Sequence, residues 1–160
     1  MATYTATVDV PIDITEAFDF LAKFSTTEQW DPGVSEAEML TPEPVGLGSQ
    51  FRVVAGFAGR KVPLTYEVTD FERPHTVTVR AENSSTISED TITFTPASGG
   101  GDSGGRDDPH LTVRYHADLR LKGAFKIFEP LIALMFNRIG DRAAAGLRAT
   151  LLDRASRPPA

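Results

Sequence analysis

At 160 residues, with 41% apolar and 24% charged side chains, the chain has the size and composition of one globular domain that buries roughly two thirds of its unfolded surface. Its 16 Lys and Arg against 22 Asp and Glu give a formal charge of -6, which opposes general attraction to nucleic acid or anionic lipid. The absence of cysteine removes disulfide frameworks, thiolate nucleophiles and cysteine-ligated zinc together.

From Ala2 to Val10 residues alternate, with Tyr4, Ala6, Val8 and Val10 on one parity and threonines and Asp9 on the other, the pattern of a half-buried strand. Pro11 ends it. Asp13 followed by Glu16 forms a capping-box-like start, and Ile14, Ala17, Phe18, Leu21 and Ala22 recur at helical spacing as far as about Phe24. A second, short helical start at Ser25 to Glu28 runs into the turn Trp30-Asp31-Pro32-Gly33.

Beyond Val34 the period changes to two. Five strands are predicted, at Ser35 to Leu40, Ser49 to Phe57, Lys61 to Phe71, Thr76 to Ala81 and Ile87 to Thr95, and the short links between them imply an antiparallel meander. Pro63 inside one of these patterns calls for a strand start, an edge position or a bulge. Residues 97–109 are expected to form a flexible glycine-rich hairpin loop, since Ser98 to Asp108 holds no apolar residue.

Leu111 to Leu121 alternates strictly and gives a further strand with one covered and one wet face. After Gly123 the residues Phe125, Phe128, Ile132, Met135, Phe136, Ile139, Ala143, Leu147 and Leu151 keep helical spacing. A helix from Ala124 to Arg154 would span roughly 45 Å, enough to cross the sheet, with Pro130 kinking or restarting it near Glu129. The first half is apolar over more than one stripe, so it must touch more than one surface. Residues 1–155 thus form one domain of class α+β, a curved antiparallel sheet closed by a long C-terminal helix, and 156–160 a disordered tail. Met1 to Thr5 lacks a signal-peptide pattern and no apolar run approaches the roughly 18 residues of a membrane span, so a cytoplasmic protein without stable membrane insertion is expected.

This order of elements carries specific residues: Ala17 to Phe24, Trp30-Asp31-Pro32-Gly33-Val34, Gly46 to Val53, Leu64 to Val68 and Asp90 to Phe94. Together, over about residues 3 to 152, they resemble the polyketide cyclase/dehydrase-like members of the START-like (SRPBCC) superfamily, which also includes START lipid-transfer domains and the major birch pollen allergen. The resemblance implies a helix-grip fold, with a seven-stranded sheet, two short N-terminal helices and a cavity under the C-terminal helix. It also implies mixed occupations, from lipid carriers to cyclases and hydrolases, so fold alone does not name a function.

Alternation nominates the cavity-facing side chains. Phe51, Val53, Leu64, Tyr66, Val68, Val79, Ile92 and Tyr115 point inward if the apolar parity faces the helix, and Phe128, Ile132, Met135 and Phe136 face them from the helix itself. Extending the Ile92 parity backwards puts Asp90, Ser88 and Thr86 on the same face, a polar ladder where core should be. An inward Asp90 would have a raised pKa and act as acid, base or ligand anchor; a bulge would instead turn it to solvent or against Arg80. Tyr66 and Tyr115 offer phenols to a ligand, or pack as core with their hydroxyls at the rim. Trp30 is expected to close one cavity end.

His75, His110 and His116 have no partners at metal-ligand spacing, and no nucleotide or nucleophile-elbow fingerprint occurs, so no metal and no cofactor is expected. Three functions compete: a binder or carrier of a small hydrophobic molecule, a cyclase or dehydratase using Asp90 with Tyr66 or Tyr115, and a regulatory interaction module. The partner is in the first case a small hydrophobic ligand, not nucleic acid, and the chain a monomer or weak homodimer.

Overall fold

A computed structural model of the chain describes residues 1–57, 59–97 and 110–157. Residues 98–109 of the expected glycine-rich loop therefore lie outside the described residues, as does 158–160 of the expected tail. Seven strands, β1 (Ala2–Val10), β2 (Val34–Met39), β3 (Gln50–Phe57), β4 (Arg60–Glu72), β5 (Thr76–Glu82), β6 (Thr86–Pro96) and β7 (Leu111–Leu121), form one antiparallel sheet. Its order is β1-β7-β6-β5-β4-β3-β2, a meander that the first strand completes by pairing with the last. Register shifts in β2 between Val34 and Glu36 and in β4 between Val68 and Asp70 each add a residue to one strand, which bends it.

Pro63 lies within β4, opposite Val54 of β3. The pairing with β5 ends at Tyr66 and Ala81, so Pro63 stands where β4 has a neighbour on one side only, the edge setting that tolerates a missing N–H.

Between β1 and β2 lie α1 (Ile14–Ala22), a 3-10 turn (Phe24–Thr26) and the single-turn helix α2 (Thr27–Trp30). Asp13 caps α1, its carboxylate accepting from the amides of Thr15 and Glu16. Residues 123–128 form a 3-10 helix, and α3 (Glu129–Ser156) follows with Pro130 in its first turn, where proline costs no hydrogen bond. The long helix thus restarts at Glu129, and it includes Ser156, the first residue of the expected tail.

One end of the concave face is solid. Phe18 of α1 stacks edge-on against Phe71 and Phe94 with ring centroids 5.3 and 5.2 Å away, and Val10, Leu111, Val113, Leu147 and Leu151 close around them fully buried. Each such side chain contributes roughly 1.5–3 kcal/mol by leaving water. Two glycines seat α3: Gly140 lies against the Tyr4 ring, where a Cβ would come within 2.5 Å, and Gly146 against the Trp30 carbonyl, whose oxygen a Cβ would overlap. No helix of the described residues is long and apolar enough to cross a membrane.

Candidate functional site

At the other end, α3 bridges the sheet without filling the space beneath. A cavity of about 290 Å³ remains, lined by the outer ends of β1, β3, β4, β6 and β7, by α2 and the turn after it, and by the first half of α3. Val53, Leu64 and Tyr66 contribute from the β3–β4 hairpin, and Ile132, Phe136 and Ile139 from the helix. The wall is mainly hydrocarbon and aromatic, with a polar group at its base.

That group begins with the ladder on β6. Thr86, Ser88 and Asp90 all reach the cavity, and Asp90 is 5% exposed, in register with Val79 and Ala117. No bulge interrupts β6 there, so strand parity holds through Ile92. Arg80 is engaged elsewhere, with Glu82 and Glu89. The buried Tyr66 hydroxyl donates to Ser88 Oγ at 3.0 Å, so its phenol lies inside and not at the rim. Tyr115 also lines the cavity and meets Trp30 edge-on at 5.9 Å.

Asp31, placed by sequence in a turn and in a family-like segment but not nominated for the cavity, is a candidate site residue that sequence missed. It follows α2, its carboxylate accepts from the Gly33 amide at 2.8 Å, and it lines the same cavity. The turn signal in Asp31-Pro32-Gly33 was legible, but that α2 carries this turn against the cavity was not. Tyr4, whose hydroxyl donates to Asp141 Oδ1 at 3.0 Å, and Trp30 join the wall as well. Trp30 Nε1 is buried without a hydrogen-bond partner.

Burial dominates the electrostatics. Loss of water raises the Asp90 carboxyl to about 7, the Tyr115 phenol opposes the rise, and the negative charge of Asp31 adds to it. Asp31 is itself raised by desolvation, with the Gly33 amide opposing, and Tyr66 and Tyr115 are pushed up chiefly by burial and then by the Asp90 charge. Among the described residues that line the cavity there is no Lys, Arg or His, and the carboxyls there are Asp31 and Asp90. The site thus holds two acids without a cation from its own wall.

Six nominated residues stand elsewhere. Phe51, Val68, Val79 and Ile92 face inward but do not line the cavity; they are fully or nearly fully buried, deeper in the groove where side chains fill it. Phe128 is exposed, because the 3-10 helix turns every three residues and breaks phase with α3. Met135 is half-buried and off the wall, about 60° round the helix from Ile132 at 100° per residue. Among the described residues no group of three or more His, Cys, Asp or Glu could hold a metal ion.

A curled seven-stranded sheet gripping a long helix over an apolar cavity defines the helix-grip class. Residues 1–152 match the family described as polyketide cyclase / dehydrase and lipid transport, and the chain belongs to that family. Solved structures agree on the fold. A START superfamily protein from Mycobacterium smegmatis superposes with a TM-score of 0.75 at 13% identity, over 96% of this chain and 99% of that one. A protein from Thermus thermophilus gives 0.74 at 17% identity over 96% and 99%, and the Zhui aromatase/cyclase from Streptomyces sp. R1128 gives 0.70 at 15% over 97% and 93%. No functionally curated protein matches the sequence.

Proposed function

We propose that the protein binds one small, largely apolar molecule in the cavity between sheet and α3, with the molecule's polar end against Asp90, Asp31 and Tyr115. The observation that carries this is the cavity itself, about 290 Å³ of space walled by hydrocarbon and ending on buried polar groups. Such a volume matches the small end of ligand pockets and would otherwise hold roughly ten water molecules against mostly apolar walls. Two carboxyls with no cation among the described wall residues favour a neutral or basic polar group that donates a hydrogen bond, and disfavour carboxylates and phosphates. The size suits a compact ring system or single short chain, such as an isoprenoid or polyketide-like molecule.

The test combines native mass spectrometry of the freshly purified protein with thermal shift against neutral phenols, isoprenoid alcohols and fatty acids. A co-purifying apolar mass, and stabilisation by the neutral donors but not by fatty acids, is the expected result. No mass and no shift from any class would end the proposal.

A second reading is favoured by one observation, the Asp90 carboxyl held at about 7 beside a second acid. That group is poised to give and take a proton near neutrality, as a cyclisation or dehydration within the cavity requires. Asp90→Asn separates the two: turnover lost with binding kept marks catalysis, whereas a binder has no turnover to lose.

A further inference from the structure

The outer face of the helix that roofs the cavity carries an apolar surface with nothing over it. Phe125, Ile127, Phe128, Leu131 and Leu134 are each between 52% and 78% exposed. Leu131, Leu134 and Arg138 form one stripe on α3 at spacings of three and four, and Ile127 of the preceding 3-10 helix is exposed at its N-terminal end. At 100° per residue that stripe is turned about 130° round the helix from Ile132, Phe136 and Ile139, which roof the cavity. The expectation that this half touches two surfaces is therefore met on one side only within the chain.

Charge around the stripe runs against that of the whole protein. Between Lys122 and Arg138 the cations are Lys122, which is paired with Glu82, and Lys126 and Arg138, while the one acid, Glu129, is paired with the N-terminal ammonium at 2.9 Å. The β3–β4 hairpin, which leads to the same end of the sheet, adds exposed Arg60 and Lys61. A chain of net charge -6 thus shows an apolar stripe bordered by cations at the end to which its cavity runs, through Phe57, Ser85 and Leu121. Large exposed apolar patches mark contact surfaces, and apolar insertion joined to basic residues is the pair of signals that holds a protein reversibly on an anionic bilayer.

We infer that this end of the molecule, centred on Ile127, Leu131 and Leu134 with Lys126 and Arg138, docks on the surface of an anionic lipid bilayer. The inference stands on the exposed surface and does not require the proposed cavity ligand. Together the two place a cavity for an apolar molecule beside a membrane surface, where apolar solutes are concentrated. The cavity is too small for a two-chain phospholipid, so the bilayer is the dock and not the cargo.

Cosedimentation with phosphatidylcholine vesicles, with and without phosphatidylglycerol, tests this at low and high salt. Binding is expected only with phosphatidylglycerol, weakened by salt. The Ile127→Glu/Leu131→Glu variant should lose it, and Lys126→Glu/Arg138→Glu should weaken it about tenfold or more. All four side chains are exposed, so unchanged melting temperatures and unchanged shifts with a cavity ligand are expected of both variants. No binding to anionic vesicles, or equal binding by the first variant, overturns the inference. So does a concentration-dependent dimer in sedimentation velocity that Ile127→Glu/Leu131→Glu dissolves, since the stripe would then face a second copy. A lost cavity ligand with retained vesicle binding would sink only the proposed function.

Discussion

Asp90 shows what a polar residue on a core parity costs. Transfer of its carboxylate from water into the cavity wall favours the protonated form, which raises the carboxyl from 3.8 to about 7. A raised carboxyl makes folding take up a proton. Stability from this group is therefore full below pH about 4 and is lost as pH rises through about 7, by up to roughly 4 kcal/mol. Asp90→Asn removes the ionisable group and should melt several degrees above the native protein at pH 8, with the difference gone near pH 4. Calorimetry across that range reads this directly, and a pH-independent difference would mean that the fold does not raise the Asp90 carboxyl. The Tyr66 to Ser88 hydrogen bond is the neutral counterpart beside it, and Tyr66→Phe should cost about 1 kcal/mol in urea unfolding at any pH from 5 to 9.

At the scale of elements, the decisive piece is α3 and how closely it can approach. Its C-terminal half sits tight because Gly146 leaves room for the Trp30 carbonyl, and a Cβ there would overlap that oxygen. Backbone cannot rotate away as a side chain can. Gly146→Ala should thus lift α3 from α2 and lower stability by about 2 kcal/mol or more in urea unfolding, despite alanine's higher helix propensity. The neighbouring notch is Gly140, where the Tyr4 ring must shift to admit a methyl group. The N-terminal half of α3 is held instead over empty space. Pro130 sets where it begins, and the 3-10 helix before it turns Phe125 and Phe128 outward.

For the whole molecule, the central consequence is that one end of the groove is packed and the other hollow. A guest that binds only the folded chain stabilises it by about 2.7 kcal/mol at a hundred times its dissociation constant, or roughly 5–10 °C in melting temperature at this size. Ala117→Leu, from the buried wall of β7, should fill part of the hollow, leave the apo protein folded and abolish that ligand-induced shift. A full shift in this variant would put the guest somewhere other than the cavity. The family and its fold also bring very different occupations under one architecture, which is why the wall's own chemistry, and not the class, carries the functional reading.

Local sequence was enough to set the elements and their faces. Alternation in Leu111 to Leu121 and in Ile92 to Phe94 specified which side chains point inward, because side-chain direction in a strand follows from local geometry alone, whereas Asp90 stayed open between cavity and bulge until the unbroken register of β6 placed it inside. The Pro130 restart and the Asp13 cap were legible for the same reason. Depth was not. Parity treats Val53 and Phe51, or Asp90 and Ile92, as equivalent, whereas tertiary packing puts the first of each pair on the cavity and the second in solid core. Closure of the sheet around α3 settles where the space ends, and the seat of α2 brings Asp31, a turn residue in sequence, into the same cavity as Asp90. Contacts between residues distant along the chain are set by how whole elements fit together, and no local pattern encodes that fit.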